Sequence, residues 1–191
     1  SLTVGAPLAA LMALWMKSLL IFIPLSLCFS FMTLFVYRQW AQKRLSMARE
    51  ITRGMKHGQF TVHYQPVFNV SRGNCGGVEA LMRWPLPDGR SITPDIFITA
   101  AENEGMIVPL SRHLFELIAQ DVGRWQVAED FYISVNISPE HLMHESFIAD
   151  VESLLTSLGK LRLMLELTER SLIIQPALVS DKLMQLREKG V

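Results

Sequence analysis

Oxygen-bearing and cationic side chains lie near the ends of four apolar stretches of this 191-residue sequence. Each stretch alternates apolar and polar residues, as a half-buried β-strand does. The polar set consists of Gln65, Glu79, Arg83, Asn136, Glu166 and Glu169. Carboxylate and amide oxygens are the ligands that hard divalent cations prefer, and an arginine is well suited to a phosphate diester. The sequence therefore predicts a site that combines metal ions with a phosphate group.

The elements that must position these residues alternate between strand and helix. Strands are predicted at 60–68, 77–84, 131–136 and 161–167. Helices are predicted from Pro94, from Pro109, over 138–158 and from Pro176, because proline favours the first turn of a helix. This alternation predicts an α/β fold with a largely parallel sheet, and four strands are about half of an eight-unit barrel.

Strand periodicity places the polar residues on one face of that sheet. Glu79, Leu81 and Arg83 share a face of the second strand, while apolar residues occupy the opposite face. Asn136 and Glu166 end the polar faces of the third and fourth strands in the same way. A barrel with a site at the carboxyl ends of its strands has this arrangement.

Residues 18–37 contain no charged side chain, and the mean hydropathy of the whole chain is +0.26. About 20 apolar residues are sufficient to span a bilayer as a helix. A signal peptide would end at small residues, whereas Tyr37 and Arg38 end this run, and a buried core helix rarely extends so far without a charge. We therefore predict a transmembrane helix at 18–37, with 1–17 as the end of an extracytoplasmic region.

The charges on either side of this run predict its orientation. Only Lys17 precedes it, whereas six basic residues follow within 20 positions, namely Arg38, Lys43, Arg44, Arg49, Arg53 and Lys56. Positive residues remain on the cytoplasmic side, so 38–58 is predicted as a cytoplasmic juxtamembrane linker and 59–191 as a cytoplasmic domain. Cys28 would then lie inside the membrane span and Cys75 in the cytoplasmic part, so they cannot meet and no disulfide framework is predicted.

Several classes of function have no support in this sequence. It contains no zinc-binding spacing, Walker loop or nucleophile elbow. The 18 basic and 18 acidic residues give a formal net charge of zero, and no DNA or RNA partner is predicted.

Together, these motifs resemble the EAL domain, a family of bacterial cyclic-di-GMP phosphodiesterases with a (β/α)8-type barrel. The resemblance covers residues 55–191 and depends on five motifs in family order: Tyr64-Gln65-Pro66, Glu79-Ala80-Leu81, Arg83-Trp84, Asn136-Ile137-Ser138 and Glu166-Leu167-Thr168-Glu169. It implies an α/β domain that forms the N-terminal half of an EAL-type (β/α)8 TIM-like barrel, preceded here by one transmembrane helix.

The resemblance also implies a metal site. Glu79, Asn136 and Glu166 match metal ligands of the family, which holds two Mg²⁺ or Mn²⁺ ions that activate a water and stabilise both oxygens of an in-line displacement at phosphorus. Glu79 is therefore also expected to be catalytic. Glu169 matches a residue that keeps a catalytic loop of the family in place.

Three further positions match substrate-binding residues of the family. Gln65 would form a hydrogen bond with cyclic-di-GMP, Leu81 would pack near the nucleotide, and Arg83 would hold a phosphate. The implied reaction is hydrolysis of cyclic-di-GMP to linear pGpG by a protein anchored in the bacterial inner membrane, with an EAL homodimer as a further expectation.

Later motifs of the family cannot be assigned in this sequence. They are a pair of adjacent aspartates, a catalytic lysine, another metal-binding glutamate and a glutamine that faces the substrate. The chain is therefore interpreted as an internal fragment that is inactive alone. The alternative is a catalytically inactive EAL module that binds cyclic-di-GMP or a partner protein.

Overall fold

The structure is a computed structural model that describes residues 8–128, 130–167 and 175–191. The chain divides into two compact units, Ser1–Leu45 and Ser46–Val191. The first unit is helical, and the second is an α/β domain. The predicted α/β class of this domain is thus confirmed.

Helix α1 (Leu8–Lys56) contains the apolar segment of the first unit. Its stretch Leu11–Arg38 has 28 residues and contains an 18-residue window with a mean hydropathy of 2.4, and its large apolar side chains are exposed. The hydroxyl groups of Ser26 and Thr33 donate to carbonyl oxygens three residues earlier, at 2.9 and 2.8 Å, so neither is left unpaired. This segment is long and apolar enough to cross a membrane, and it includes the predicted span 18–37.

The second unit contains a sheet of five strands. They are β1 (Thr61–Asn69), β2 (Asn74–Pro85), β3 (Ser91–Ile92), β4 (Tyr132–Ile137) and β5 (Arg162–Leu167). Their order is β1-β2-β4-β5, and the two-residue β3 pairs with the end of β2. Strands β2, β4 and β5 are parallel, as predicted.

Strand β1 differs from the predicted arrangement, because it is antiparallel to β2. The two strands extend as far as Asn69 and Asn74, so only four residues connect them. Parallel neighbours need a crossover of a dozen or more residues, whereas so short a connection forms a hairpin.

The helices of this unit are α2 (Pro94–Asn103), α3 (Ile107–Val122), α4 (Pro139–Met143), α5 (Phe147–Leu158) and α6 (Pro176–Glu188). One helical section had been predicted over 138–158, but the structure has two helices there. The backbone of His144 is extended at the break, and Lys182 Nζ donates to the carbonyl oxygens of Leu142 and His144, each at 2.8 Å. A cation from a distant helix therefore satisfies carbonyl groups that a continuous helix would have bonded internally.

The core lies between the sheet and its helices. Along β2 the side chains of Val78, Ala80, Met82 and Trp84 are buried. Glu79, Leu81 and Arg83 alternate with them and are only partly buried. The predicted separation of an apolar face from a polar face is therefore confirmed for this strand.

Candidate metal and phosphate site

Four of the predicted side chains lie on one face of the sheet. The register pairs Gln65 with Glu79 across β1 and β2, and Asn136 with Glu166 across β4 and β5. Glu79 is beside Ser134, and Asn136 follows two residues later on the same face. We call Gln65, Glu79, Asn136 and Glu166 the strand-end row. The row crosses four strands, because each strand contributes one polar residue at a similar position along its length.

A direct contact joins the middle of the strand-end row. Asn136 Nδ2 donates a hydrogen bond to Glu79 Oε1 at 2.7 Å. This bond orients the amide, so that its oxygen and the second carboxylate oxygen of Glu79 remain available as ligands. Two oxygens from adjacent strands are thus held side by side.

The donor set fits a hard divalent cation. Two carboxylates and one amide oxygen are ligands for Mg²⁺ or Mn²⁺, and no soft sulfur or imidazole ligand belongs to the row. Within residues 8–128, 130–167 and 175–191, no group of three or more His, Cys, Asp or Glu side chains could hold an ion. Three oxygens are about half of an octahedral shell, so water, substrate or further residues would complete it.

A cavity of about 280 Å³ opens beside the row, between the ends of β2 and β4 and helices α2 and α3. Leu81, Arg83 and Asn136 contribute to its wall, and the remaining lining is mainly apolar, including Pro94, Ile98, Ile107 and Leu110. The Arg83 guanidinium donates to the Met82 carbonyl oxygen at 3.0 Å, which leaves most of its donors available. Apolar walls with one guanidinium at the edge suit a flat ring attached to a phosphate.

The sequence analysis identified Leu81 and Arg83 in this cavity but not its helical wall. Pro94 was recognised only as the start of a helix. Helix α2 lies against the strand ends through tertiary packing, which no local pattern reveals. Glu169, the remaining predicted residue, lies outside the described part of the chain.

A polar network around a buried histidine lies behind the site. His141 is fully buried, and its Nε2 is 3.1 Å from Asp150 Oδ2. The same carboxylate oxygen accepts from Arg112 Nε at 2.9 Å and from Ser146 Oγ at 2.8 Å. The network joins α3, α4 and α5. Its members were not predicted as a group, because they come from three helices that only tertiary packing brings together.

This network continues to the end of β4. The backbone N–H of His141 donates to Ser138 Oγ at 3.1 Å, which caps the start of α4 two residues after Asn136. The cap satisfies one of the free amide groups at the helix start. Two hydrogen bonds therefore link Asp150, through His141 and Ser138, to the strand end that carries Asn136.

The network predicts a pH dependence of stability. Burial lowers the pKa of His141, and the hydrogen bond with Asp150 only partly opposes this effect. The imidazole ring titrates near 6.5 in the unfolded chain, so the unfolded state binds the proton first as the pH falls. The contribution of neutral His141 to the free energy of unfolding is therefore complete above a pH of about 6.5. It is lost progressively as the pH falls from there toward the lower pKa of the folded state.

His141→Gln should remove this contribution while keeping a side-chain donor for Asp150. We measure the urea concentration at the midpoint of unfolding for the full-length protein at pH 7.5 and at pH 5.5. We expect this midpoint to fall further in wild type than in His141→Gln when the pH is lowered. Equal changes in both proteins would contradict the assignment. The difference between the two proteins isolates His141 from the other four histidines.

The fold and the site together define a barrel-type α/β domain with oxygen donors for divalent cations at its strand ends. The model of the family "EAL domain" matches residues 48–191. The chain therefore belongs to the EAL domain family.

Individual relatives agree with this assignment. The chain is 43% identical over 134 residues to "Probable cyclic di-GMP phosphodiesterase PdeN" of Escherichia coli (strain K12), which covers 68% of this chain and 26% of that protein. It is 33% identical over 180 residues to "Probable cyclic di-GMP phosphodiesterase PdeG" of the same strain, over 90% of this chain and 34% of that protein. The chain thus spans about a quarter to a third of the length of these curated relatives.

A solved structure is similar as well. "PaMucR Phosphodiesterase, c-di-GMP complex" matches with a TM-score of 0.67 and 29% identity, over 76% of this chain and 61% of that one. This likeness confirms the expected TIM-barrel type of the fold.

Proposed function

We propose that the full-length protein containing this chain is a membrane-anchored phosphodiesterase that hydrolyses cyclic-di-GMP to linear pGpG. The observation that supports this most is the 2.7 Å hydrogen bond from Asn136 to Glu79, with Glu166 beside Asn136 on the next strand. Catalysis needs metal ligands at this place, whereas a simple receptor does not. The names of the E. coli relatives agree with the same reaction.

In the mechanism, Glu79, Asn136 and Glu166 would hold Mg²⁺ or Mn²⁺. Such ions supply an activated water and stabilise charge on the phosphorus-bound oxygens. Arg83 binds a non-bridging phosphate oxygen with its guanidinium and so orients the diester for in-line attack.

The remaining residues bind the nucleotide. Leu81 presents an apolar wall of the cavity to the guanine ring, and Gln65 at the other end of the row donates or accepts a hydrogen bond. We further propose that Glu169 holds a loop of the site in place. The three described metal ligands are too few for two ions, so turnover is proposed for the full-length protein and not for residues 1–191 alone.

A turnover assay tests the proposed function. The purified full-length protein is incubated with cyclic-di-GMP and either Mg²⁺ or Mn²⁺, and pGpG is separated by chromatography. We expect pGpG in the presence of metal and none after EDTA treatment. Binding of intact cyclic-di-GMP without any pGpG would contradict the proposal and support the alternative, a receptor module.

We propose that Leu11–Arg38 crosses the bacterial inner membrane and that the α/β domain is cytoplasmic. Length and hydropathy of the segment support the first statement, and the excess of basic residues after it supports the second. An EAL homodimer remains a prediction.

Cysteine labelling tests this orientation. In a background with Cys28→Ser and Cys75→Ser, Val70→Cys provides a thiol at a position that is 93% exposed in the β1–β2 turn. An impermeant maleimide should label Val70→Cys in lysed cells but not in intact spheroplasts, and should label Thr3→Cys in both. Labelling of Val70→Cys in intact spheroplasts would overturn the orientation.

A further inference from the structure

The last turns of α1 belong to the core of the α/β domain. Ile51 is completely buried, and Phe60, four residues after the helix, is 2% exposed. The Phe60 ring lies 4.7 Å from the ring of Trp84, measured between centroids, and Phe97 packs on both rings. The end of this helix is therefore fixed by direct contact with the aromatic cluster behind β2.

Gly54 is the position at which the helix meets this cluster. A Cβ atom on Gly54 would lie 2.9 Å from a ring carbon of Phe60 and 3.1 Å from two ring carbons of Trp84. Carbon atoms in contact prefer about 3.5–4.0 Å, so this approach is available only to glycine. Glycine inside a helix costs about 1 kcal/mol relative to alanine, and the close approach supplies a physical reason for it here.

The two rings lie next to the residue predicted to bind phosphate, one position along from the Thr61–Arg83 pair. Thr61 of β1 pairs with Arg83 of β2, Phe60 directly precedes Thr61, and Trp84 directly follows Arg83. Trp84 is further fixed by a hydrogen bond from its Nε1 to Gln59 Oε1 at 3.2 Å. The aromatic cluster thus anchors both strands at the level of Arg83.

We propose that Trp84 is a positioning residue for Arg83 and that the Gly54 turn of α1 holds Trp84 in place. Consecutive Cα atoms are 3.8 Å apart, so displacement of Trp84 re-aims Arg83 on the opposite face of the strand. The inference rests on the proposed function, since it assigns Arg83 to a substrate phosphate. A movement of the end of α1 would therefore change substrate binding through Trp84 and Arg83.

Gly54→Ala tests this inference in the full-length protein. We expect the KM for cyclic-di-GMP to rise about tenfold, because misplaced binding groups lose much of their effect. The kcat should change less than about twofold and the Mg²⁺ concentration for half-maximal activity should stay the same, because the aromatic cluster does not support Glu79 or Asn136 directly. An unchanged KM in a folded Gly54→Ala protein would overturn the proposal.

Gly123→Ala is the matched control. Gly123 follows α3 with a φ of −58°, and an added Cβ would meet only the Ala119 carbonyl oxygen, at 4.0 Å. This substitution should leave KM and kcat as in wild type. Near-ultraviolet circular dichroism should show a changed Trp84 signal in Gly54→Ala and not in Gly123→Ala, independently of any substrate.

A double-mutant cycle with Trp84→Phe isolates the contact. The smaller ring removes the two Trp84 contacts at 3.1 Å but leaves the Phe60 contact at 2.9 Å, so Gly54→Ala should still raise KM in the Trp84→Phe background, but by less than in wild type. Equal effects in both backgrounds would overturn the link between the two residues.

Trp84→Phe alone should also raise KM, which tests the positioning role if Gly54→Ala does not fold. Failure of the proposed function can be distinguished from failure of the positioning role, because wild type itself would then show no turnover.

Discussion

Glu79→Gln in the full-length protein is expected to lower kcat for cyclic-di-GMP hydrolysis about a thousandfold, which corresponds to about 4 kcal/mol of transition-state stabilisation. The substitution keeps the size of the side chain but replaces a charged ligand by a neutral amide. It also removes the charged acceptor of the hydrogen bond from Asn136, so two ligands are affected at once. The rate of pGpG release and its dependence on Mg²⁺ concentration measure the effect.

The control for this substitution is Glu188→Gln, which neutralises an exposed carboxylate at the end of α6. It should leave turnover unchanged. Turnover of Glu79→Gln within tenfold of wild type, together with an unchanged dependence on Mg²⁺ concentration, would remove Glu79 from the metal site. Increased Mg²⁺ demand with normal kcat would instead assign Glu79 to metal affinity alone.

Arg83→Met is expected to raise the KM for cyclic-di-GMP about a hundredfold, with a smaller effect on kcat. Charge-assisted hydrogen bonds contribute about 1.5–3 kcal/mol each, and a guanidinium can form two of them with one phosphate. Among the residues that the structure describes, Arg83 Nη1 donates to the Met82 carbonyl oxygen at 3.0 Å, which leaves guanidinium donors for a substrate phosphate. Steady-state kinetics with the full-length protein gives both constants.

Arg83→Lys separates charge from geometry at the same position. It keeps the positive charge but loses the planar pair of donors, so its KM should lie between those of wild type and Arg83→Met. A wild-type KM in Arg83→Met would show that Arg83 does not hold the substrate. A kcat loss without a KM change would assign the residue to the transition state.

Much of the site could be predicted from local sequence patterns. Alternation along β2 correctly separated Glu79 and Arg83 from Ala80 and Met82, because period two is a property of the backbone alone. The alternation of elements also predicted that β2, β4 and β5 are parallel, which brings Asn136 beside Glu166. These features depend on residues that are close in sequence.

Features that depend on distant contacts could not be predicted. The antiparallel pairing of β1 is local, but it depends on where the two strands end, which periodicity does not determine. The break between α4 and α5 depends on Lys182, which comes about 40 residues later. His141 is buried with one ring nitrogen against Asp150 of α5, and Arg112 of α3 donates to the same carboxylate oxygen of Asp150. The role of Gly54 likewise requires the positions of two rings that lie in other elements.

The strand-end row is the central feature of this account, and the position of a bound metal tests it most directly. Crystals of the full-length protein grown with Mn²⁺ and cyclic-di-GMP would give an anomalous scattering peak at the manganese edge. We predict a peak at about 2.0–2.3 Å from oxygens of Glu79, Asn136 and Glu166. Bound cyclic-di-GMP with no anomalous peak at these three residues, or a peak held by other side chains, would contradict the account.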